Sequence, residues 1–397
     1  MKNNRTFLEK LLDGAEVEWK TIAEISNKVS SGGTPTTSNN NYYENGNIPW
    51  LRTQEVDFKE IWNTDLKITE EGLNNSSAKW IPKNCVIVAM YGATVGKIAI
   101  NKIPLTTNQA CANIEVNPEI AHYRYVFHYL MSKYEYIKSL GSGSQTNINS
   151  QIVKKIRIPI PPLSVQTEIV KILDALTALT SELTSELILR RKQYEYYREK
   201  LLSEEELGKV GFEWRALKDI LIRTKGTKIT AAEMKVLHKE NAPLKIFAGG
   251  KTFALVNYSD IPEKDINKNP SIIVKSRGFI EFEYYDKPFS HKNEMWSYYS
   301  NDKNINIKYI YYVLKNQEPY FQSLGSKMQM PQISTPDTDR YLVPIPPPYI
   351  QTEIVKILDK FESLTNSITE GLPLAIEQSQ NRYEYYRELL LNFPGGE

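Results

Sequence analysis

Gly92-Ala93-Thr94-Val95-Gly96-Lys97 has the residue types of a phosphate-binding loop. Such a loop needs four residues between its first glycine and the Gly-Lys pair, then a Ser or Thr to hold magnesium. Only three intervene here, and Ile98 follows the lysine. Pro346-Pro347-Pro348-Tyr349 has the prolines and ring of the Asn/Asp-Pro-Pro-Tyr/Phe string that grips the target amino group in adenine methylation. That grip needs a side-chain acceptor at the first position, and Pro346 has none. The other half of the chain reads Ile160-Pro161-Pro162-Leu163, without the ring. Gly141-Ser142-Gly143 follows a helical stretch rather than a strand, which makes it a poor cofactor loop. Glu18-Trp19-Lys20 has the spacing of a nuclease Glu-x-Lys, but its counterpart is Glu213-Trp214-Arg215, and the pair marks a structural boundary. His122, His128, His238 and His291 do not combine with cysteine at metal-ligand spacing.

What remains suits binding. Lys275-Ser276-Arg277-Gly278, His291-Lys292-Asn293 and Gly249-Gly250-Lys251 are compact donor clusters. Donors of this kind match phosphate oxygens, while Asn, Gln and Arg read base edges. The net charge is only +2, so a nucleic-acid surface must come from local clustering of the 49 basic residues. Cys85 and Cys111 lie in apolar strings and read as core thiols. No apolar run approaches the ~20 residues that span a bilayer, and Met1 to Lys10 has no signal-peptide core. A reducing cytoplasm is the expected location.

The elements that must position these clusters come in two copies. IPIPPLSVQTEIVKILD (158–174) returns as VPIPPPYIQTEIVKILD (343–359), and Gln166 to Asp174 is identical to Gln351 to Asp359. Tyr194-Glu195-Tyr196-Tyr197-Arg198-Glu199 returns as Tyr383-Glu384-Tyr385-Tyr386-Arg387-Glu388. Two similar halves follow. Residues 1–157 and 208–342 read as two α/β domains, and 158–207 and 343–397 as repeats carrying long helices. Region one predicts strands over Cys85 to Met90 and Lys97 to Ile100, a turn at Gly92 and Gly96, and helix within Ala121 to Ser139. Region two predicts strands over Ile272 to Lys275 and Phe279 to Tyr285, and helix over Lys308 to Lys315. Glu18-Trp19 and Glu213-Trp214 each predict a short helical pattern, reaching Ile25 and Ile220.

Steps of four and three from Ile169 meet Leu173, Leu176, Thr180, Leu183, Leu187, Arg190, Tyr194, Tyr197 and Leu201, a coiled-coil seam. The second seam has one extra step of four, between Leu372 and Ile376. Gly371 and Pro373 sit at that stutter, which predicts a kink or break. The simplest partner for each helix is the other, antiparallel. The fold class is therefore α+β: two α/β domains separated by two long antiparallel coiled-coil helices, with a pseudo-twofold repeat. Within the first helix Thr180-Ser181-Glu182-Leu183 repeats at once as Thr184-Ser185-Glu186-Leu187. Such a unit is either filler or a spacer of adjustable length. It adds ~6 Å and a net rotation of ~40°.

The chain closely resembles the DNA-specificity (S) subunit of type I restriction–modification systems over nearly all its length. The resemblance rests on the two Pro-Ile-Pro-Pro segments running into Gln-Thr-Glu-Ile-Val and on the long helices. It also rests on Gly32-Gly33-Thr34-Pro35, Ile48-Pro49-Trp50, Met90 to Gly96, Ser276-Arg277-Gly278 and Phe289-Ser290-His291-Lys292. It implies two target-recognition domains, each reading half of a split double-stranded DNA target. It implies helices that dock two methyltransferase (M) subunits, and restriction (R) subunits that join them. It implies no catalysis and no cofactor on this chain, with S-adenosylmethionine on M, and ATP and magnesium on R. The expected DNA contacts are Thr34, Arg52, Tyr91, Lys97, Ser142, Ser144, Gln145, Lys228, Lys251, Lys275, Arg277, His291, Lys292, Lys327 and Gln329. The expected docking and spacer residues are Gln166, Glu168, Thr180, Leu183, Thr184, Leu187, Tyr196, Gln351, Glu353 and Tyr385. Two alternatives are a coiled-coil scaffold that never meets DNA and a divergent single-chain adenine methyltransferase. Salt-insensitive association would favour the first, and binding of S-adenosylmethionine by the chain alone the second.

Overall fold

The longest β-branched runs become the buried centre of each half. In the computed structural model, which describes residues 6–141, 147–325, 331–367 and 369–394, Val86–Ala89 and Ile98–Asn101 are buried along their whole length. So is Ser271–Lys275 in the second half. The chain divides into two units, Met1–Leu183 with Ile376–Glu397, and Thr184–Ala375.

In the first unit the main sheet has the strand order Ser26–Ser31, Cys111–Val116, Val86–Ala89, Ile98–Asn101, Glu60–Ile61. In the second unit the order is Ile222–Thr224, Trp296–Tyr299, Ser271–Lys275, Glu281–Tyr285. The four-strand plan is the same, and the first unit adds Glu60–Ile61 in parallel at its edge. Each unit has a second sheet built on a parallel pair: Ile48–Leu51 with Leu105–Thr107, and Leu244–Phe247 with Phe289–His291. Cys85 and Cys111 are core thiols, and burial pushes both up to about 12.

One expectation needs correction. The segment after Glu18-Trp19 is a strand, Glu18–Thr21, followed by turn rather than helix. Thr21 and Glu24 cap that turn, but the Ile25 carbonyl already accepts from Asn117 N at 2.9 Å, and the sheet strand begins at Ser26. The helix forms only in the second unit, at Leu217–Ile220.

The proline segments become strands of two-stranded ribbons. Trp19 faces Pro159 and Trp214 faces Pro344, at positions where a missing N–H does no harm. From there the central helix Leu163–Leu201 runs unbroken for 39 residues. It ends at Leu201, and the Ser203 hydroxyl caps the next helix, Glu204–Gly208. The second long stretch is broken, as Pro348–Asn366 and Gly371–Leu391. Gly371 has φ +80, and a Cβ there would lie 2.6 Å from Ser363 O. Pro373 falls in the first turn after the break, where no intrahelical N–H is needed.

Within each unit the helices pair antiparallel. In the first, Thr180 Oγ1 meets Ser379 Oγ at 2.8 Å, while His128 links Asp174 to Tyr383. In the second, Arg191 Nη2 donates to Thr365 O at 3.4 Å and Tyr197 stacks on Phe361 at 5.6 Å. Among the described residues no helix is long and apolar enough to cross a membrane.

Candidate nucleic-acid interface

The duplicated string explains how each domain is fixed to its helix. Gln166 is fully buried; its Oε1 accepts from His122 N at 2.8 Å, and its Nε2 donates to Ile120 O at 3.2 Å and Pro161 O at 2.8 Å. Gln351 repeats this with Asn306 N at 2.8 Å, Asn304 O at 3.0 Å and Pro346 O at 2.8 Å. At the far end of the string, Asp174 takes Arg124 at 2.5 and 2.8 Å and His128 at 2.8 Å. Burial opposes the Asp174 charge, but hydrogen bonds from His128 and Arg124 hold its carboxyl below the usual range. Asp359 takes Lys308 at 2.9 Å and the Tyr312 hydroxyl at 2.5 Å. Tyr125 and Tyr309 complete the match by donating to Pro159 O and Pro344 O at 2.8 and 2.9 Å. So Gln166 and Gln351, expected on a docking surface, face inward. Sequence reasoning did not anticipate these sockets; their signal was the identity of both ends of the repeated string.

The candidate contacts of the second unit converge on one end of its domain. Thr227 N donates to His291 O at 2.8 Å, and Lys292 N to Phe247 O at 3.0 Å. Ser276 Oγ reaches Glu294 O at 2.8 Å, and Gly278 N reaches Pro331 O at 2.8 Å. These bonds gather Lys228, Lys251, Arg277 and Lys292 on neighbouring turns. Lys228, Lys251 and Arg277 are exposed, while Lys292 pairs with Glu294 at 2.6 Å. Lys275 and His291 are different. Lys275 is 5% exposed and held between Glu281 at 2.5 Å and Glu283 at 2.8 Å. His291 is fully buried, with Nδ1 3.1 Å from Lys292 O and Nε2 3.3 Å from Ser297 Oγ, and burial lowers its pKa. Their chemistry is consumed inside the domain, so neither offers a surface for DNA. Lys327 and Gln329 lie outside the described residues.

The first unit gathers its candidates through equivalent bonds. Gly33 N donates to Thr107 O at 2.9 Å, and Asn108 N to Leu51 O at 2.9 Å, next to Arg52. Ile148 N donates to Met90 O at 3.0 Å, as Ile333 N does to Ser276 O at 3.0 Å. Thr34 bonds Gln109, Tyr91 is 39% exposed, and Arg52 Nε is buried with no partner among the described residues. Gly92 has φ +78 and stands in open space, so its turn projects Tyr91 and Ala93 outward. Lys97 pairs with Asp57 at 2.7 Å, as Lys292 does with Glu294. Ser142, Ser144 and Gln145 lie outside the described residues. Among the described residues no group of His, Cys, Asp and Glu could hold a metal ion.

The model of the type I restriction modification DNA specificity domain matches this chain twice, over residues 15–190 and 209–378. The chain belongs to the type I DNA-specificity family. It is similar to a type I restriction enzyme specificity subunit of Haemophilus influenzae, with 38% identity over 99% of this chain and 100% of that one. It is also similar to the EcoR124I/EcoR124II specificity subunit of Escherichia coli, with 30% identity over 98% and 97%. Among solved structures, the type I S subunit from M. genitalium shares its fold, with TM-score 0.66 at 16% identity over 96% and 97% of the two chains. The function is DNA target recognition in a restriction–modification system, and a specificity subunit is its non-catalytic component.

On the helices of this specificity subunit the outward side chains are also repeated. Tyr196 and Tyr385 occupy equivalent positions and are 57% and 63% exposed. Glu168 and Glu353 also point outward, each paired three residues along, with Lys171 and Lys356. Thr180, Leu183 and Leu187 are half-buried and Thr184 is exposed.

Proposed function

We propose that the chain reads a split double-stranded DNA target, one half with the domain of residues 1–157 and the other with that of 208–342, while 158–207 and 343–397 carry the spacer helices. The observation behind this reading is the double set of loops, gathered by equivalent bonds at one end of each domain. Thr34, Arg52 and Tyr91 are the proposed contacts in one half, and Lys228, Lys251, Arg277 and Lys292 in the other. Tyr196, Tyr385, Glu168 and Glu353 are the proposed docking positions, present twice because two M subunits dock. R subunits join that assembly in the cytoplasm. S-adenosylmethionine belongs to M, and ATP and magnesium to R.

The continuous central helix supports a ruler built from the tandem Thr-Ser-Glu-Leu units at 180–187. One unit's ~40° of rotation matches one base pair, and its ~6 Å of length nearly two. The test maps methylated adenines in cells expressing this chain with its M subunit, beside the same chain lacking Thr184 to Leu187. A split motif whose gap shortens by one or two base pairs is expected. An unchanged gap would refute the ruler and keep the two half-sites; a continuous motif would refute the two-domain reading.

A further inference from the structure

The second sheets of the two units share an antiparallel neighbour on the first strand of the parallel pair, but they connect it differently. In the second unit Leu244–Phe247 turns directly back as Phe253–Val256, in the register Leu244 to Val256 and Phe247 to Phe253. The corresponding strand of the first unit, Ile48–Leu51, makes no such hairpin. It passes through the helical turn Thr53–Glu55 and the strand Glu60–Ile61 before pairing with Leu66–Ile68. The antiparallel pair is common to both domains, and the tight tip that closes it in the second alone is suited to make the two half-sites differ.

The hairpin tip is built to stand clear. Ala248 N donates to Thr252 O at 3.0 Å and Thr252 N to Gly249 O at 3.4 Å, which closes the turn. Gly250 has φ +63, and no atom lies within 4 Å of a Cβ built on Gly249 or Gly250. Lys251 is exposed and Phe253 is 48% exposed. The base of the hairpin is braced. Lys245 Nζ lies 4.2 Å from the Phe247 ring centre, 4.8 Å from Phe253 and 5.3 Å from Tyr285, with Glu283 at 3.5 Å. Cation–π attraction fixes the Phe253 ring while leaving half of it open. The backbone link between Phe247 and Lys292 sets the tip at the same end of the domain as Lys228 and Arg277.

A two-stranded ribbon fits the major groove, where a lysine can donate to guanine O6 and N7 and an apolar ring can rest on a thymine methyl. We propose that the hairpin Leu244–Val256 enters the major groove of the half-site read by the second unit, where Lys251 and Phe253 fix its sequence. This rests on the reading that each unit takes one half-site. The turns at Tyr91-Gly92 and Ser276 to Gly278, held by the same bond in both units, serve what the two half-sites have in common, the phosphate backbone.

The experiment maps methylated adenines for the full chain with its M subunit, comparing wild type, Lys251→Ala, Phe253→Ala and Arg277→Ala. Lys251→Ala is expected to relax one position of one half-site, lowering discrimination there roughly 5- to 150-fold, with the other half-site intact. Phe253→Ala relaxes a neighbouring position, and Phe253→Leu, which keeps the packing on Lys245, relaxes it less. Arg277→Ala lowers methylation at all sites without changing the motif. A split wild-type motif that Lys251→Ala leaves unchanged overturns the hairpin's role, and so does relaxation of both half-sites together. Lys251 sits at an open tip, so loss of folding does not confuse that result. A wild-type map with no split motif overturns the half-site reading and the hairpin's role with it.

Discussion

Gln166→Ala tests the socket that fixes a recognition domain to the central helix. The side chain is fully buried and makes three hydrogen bonds to backbone groups. Its removal strands the His122 N–H and the carbonyls of Ile120 and Pro161. A stranded buried donor costs about 1–3 kcal/mol. The space left by the amide adds to this, as truncation of a buried side chain of similar length costs ~2 kcal/mol or more. A loss of about 3–5 kcal/mol is therefore expected, or a fall in Tm of roughly 6–20 °C for a unit of this size. Gln351→Ala should lose as much, because its three bonds are the same. Ser164→Ala, two residues away and exposed, should change stability by no more than about 0.5 kcal/mol. Thermal and urea unfolding of the complex with M, followed by tryptophan fluorescence, measures all three. Equal midpoints for Gln166→Ala and Ser164→Ala would refute the socket.

Lys275→Ala leaves Glu281 and Glu283 facing each other across a largely buried site. It should cost about 3 kcal/mol in urea unfolding while the methylated motif stays the same. A changed motif would return Lys275 to the DNA surface. Burial favours the neutral form of His291, so the unfolded chain takes up this proton first, near pH 6.5. Its contribution is complete above that pH and is lost as pH falls towards the lower folded-state value. His291→Gln should flatten part of the decline in unfolding midpoint between pH 7.5 and 5; an unaltered slope would contradict this. Tyr196→Ser and Tyr385→Ser should each weaken M binding about tenfold or more, measured by titration calorimetry, with unfolding unchanged. Full-strength binding by the double variant would remove these rings from the docking surface.

The duplicated architecture was legible in the residues because Gln166 to Asp174 and Gln351 to Asp359 repeat without change. The break at Gly371 was legible because glycine and proline sit where the seam gains four residues. The purpose of the identical string was not legible. Its partners at the aspartate end lie 46–51 residues upstream and differ between halves: Arg124 and His128 in one, Lys308 and Tyr312 in the other. A lysine string shows charge but not who answers it. Lys275 looked like a surface donor until strand register set it opposite Glu281. That pairing had a faint signal, since both residues flank the Gly278 turn in a hairpin-like run. His291 carried no such signal: its burial comes from Gly226, where a Cβ would lie 2.4 Å from its Nδ1, on a loop 65 residues earlier (291 − 226).

On the proposed reading, each unit takes its own half-site through a domain mounted on an equivalent socket. Replacing residues 22–156 by residues 217–341 mounts the second domain on both sockets. The measurement is a map of methylated adenines made by this chain with its M subunit. The predicted result is a symmetric motif, with the second half-site present twice in inverted order and the first absent. A motif that keeps the first half-site, or loses both while the complex remains soluble, would contradict the account.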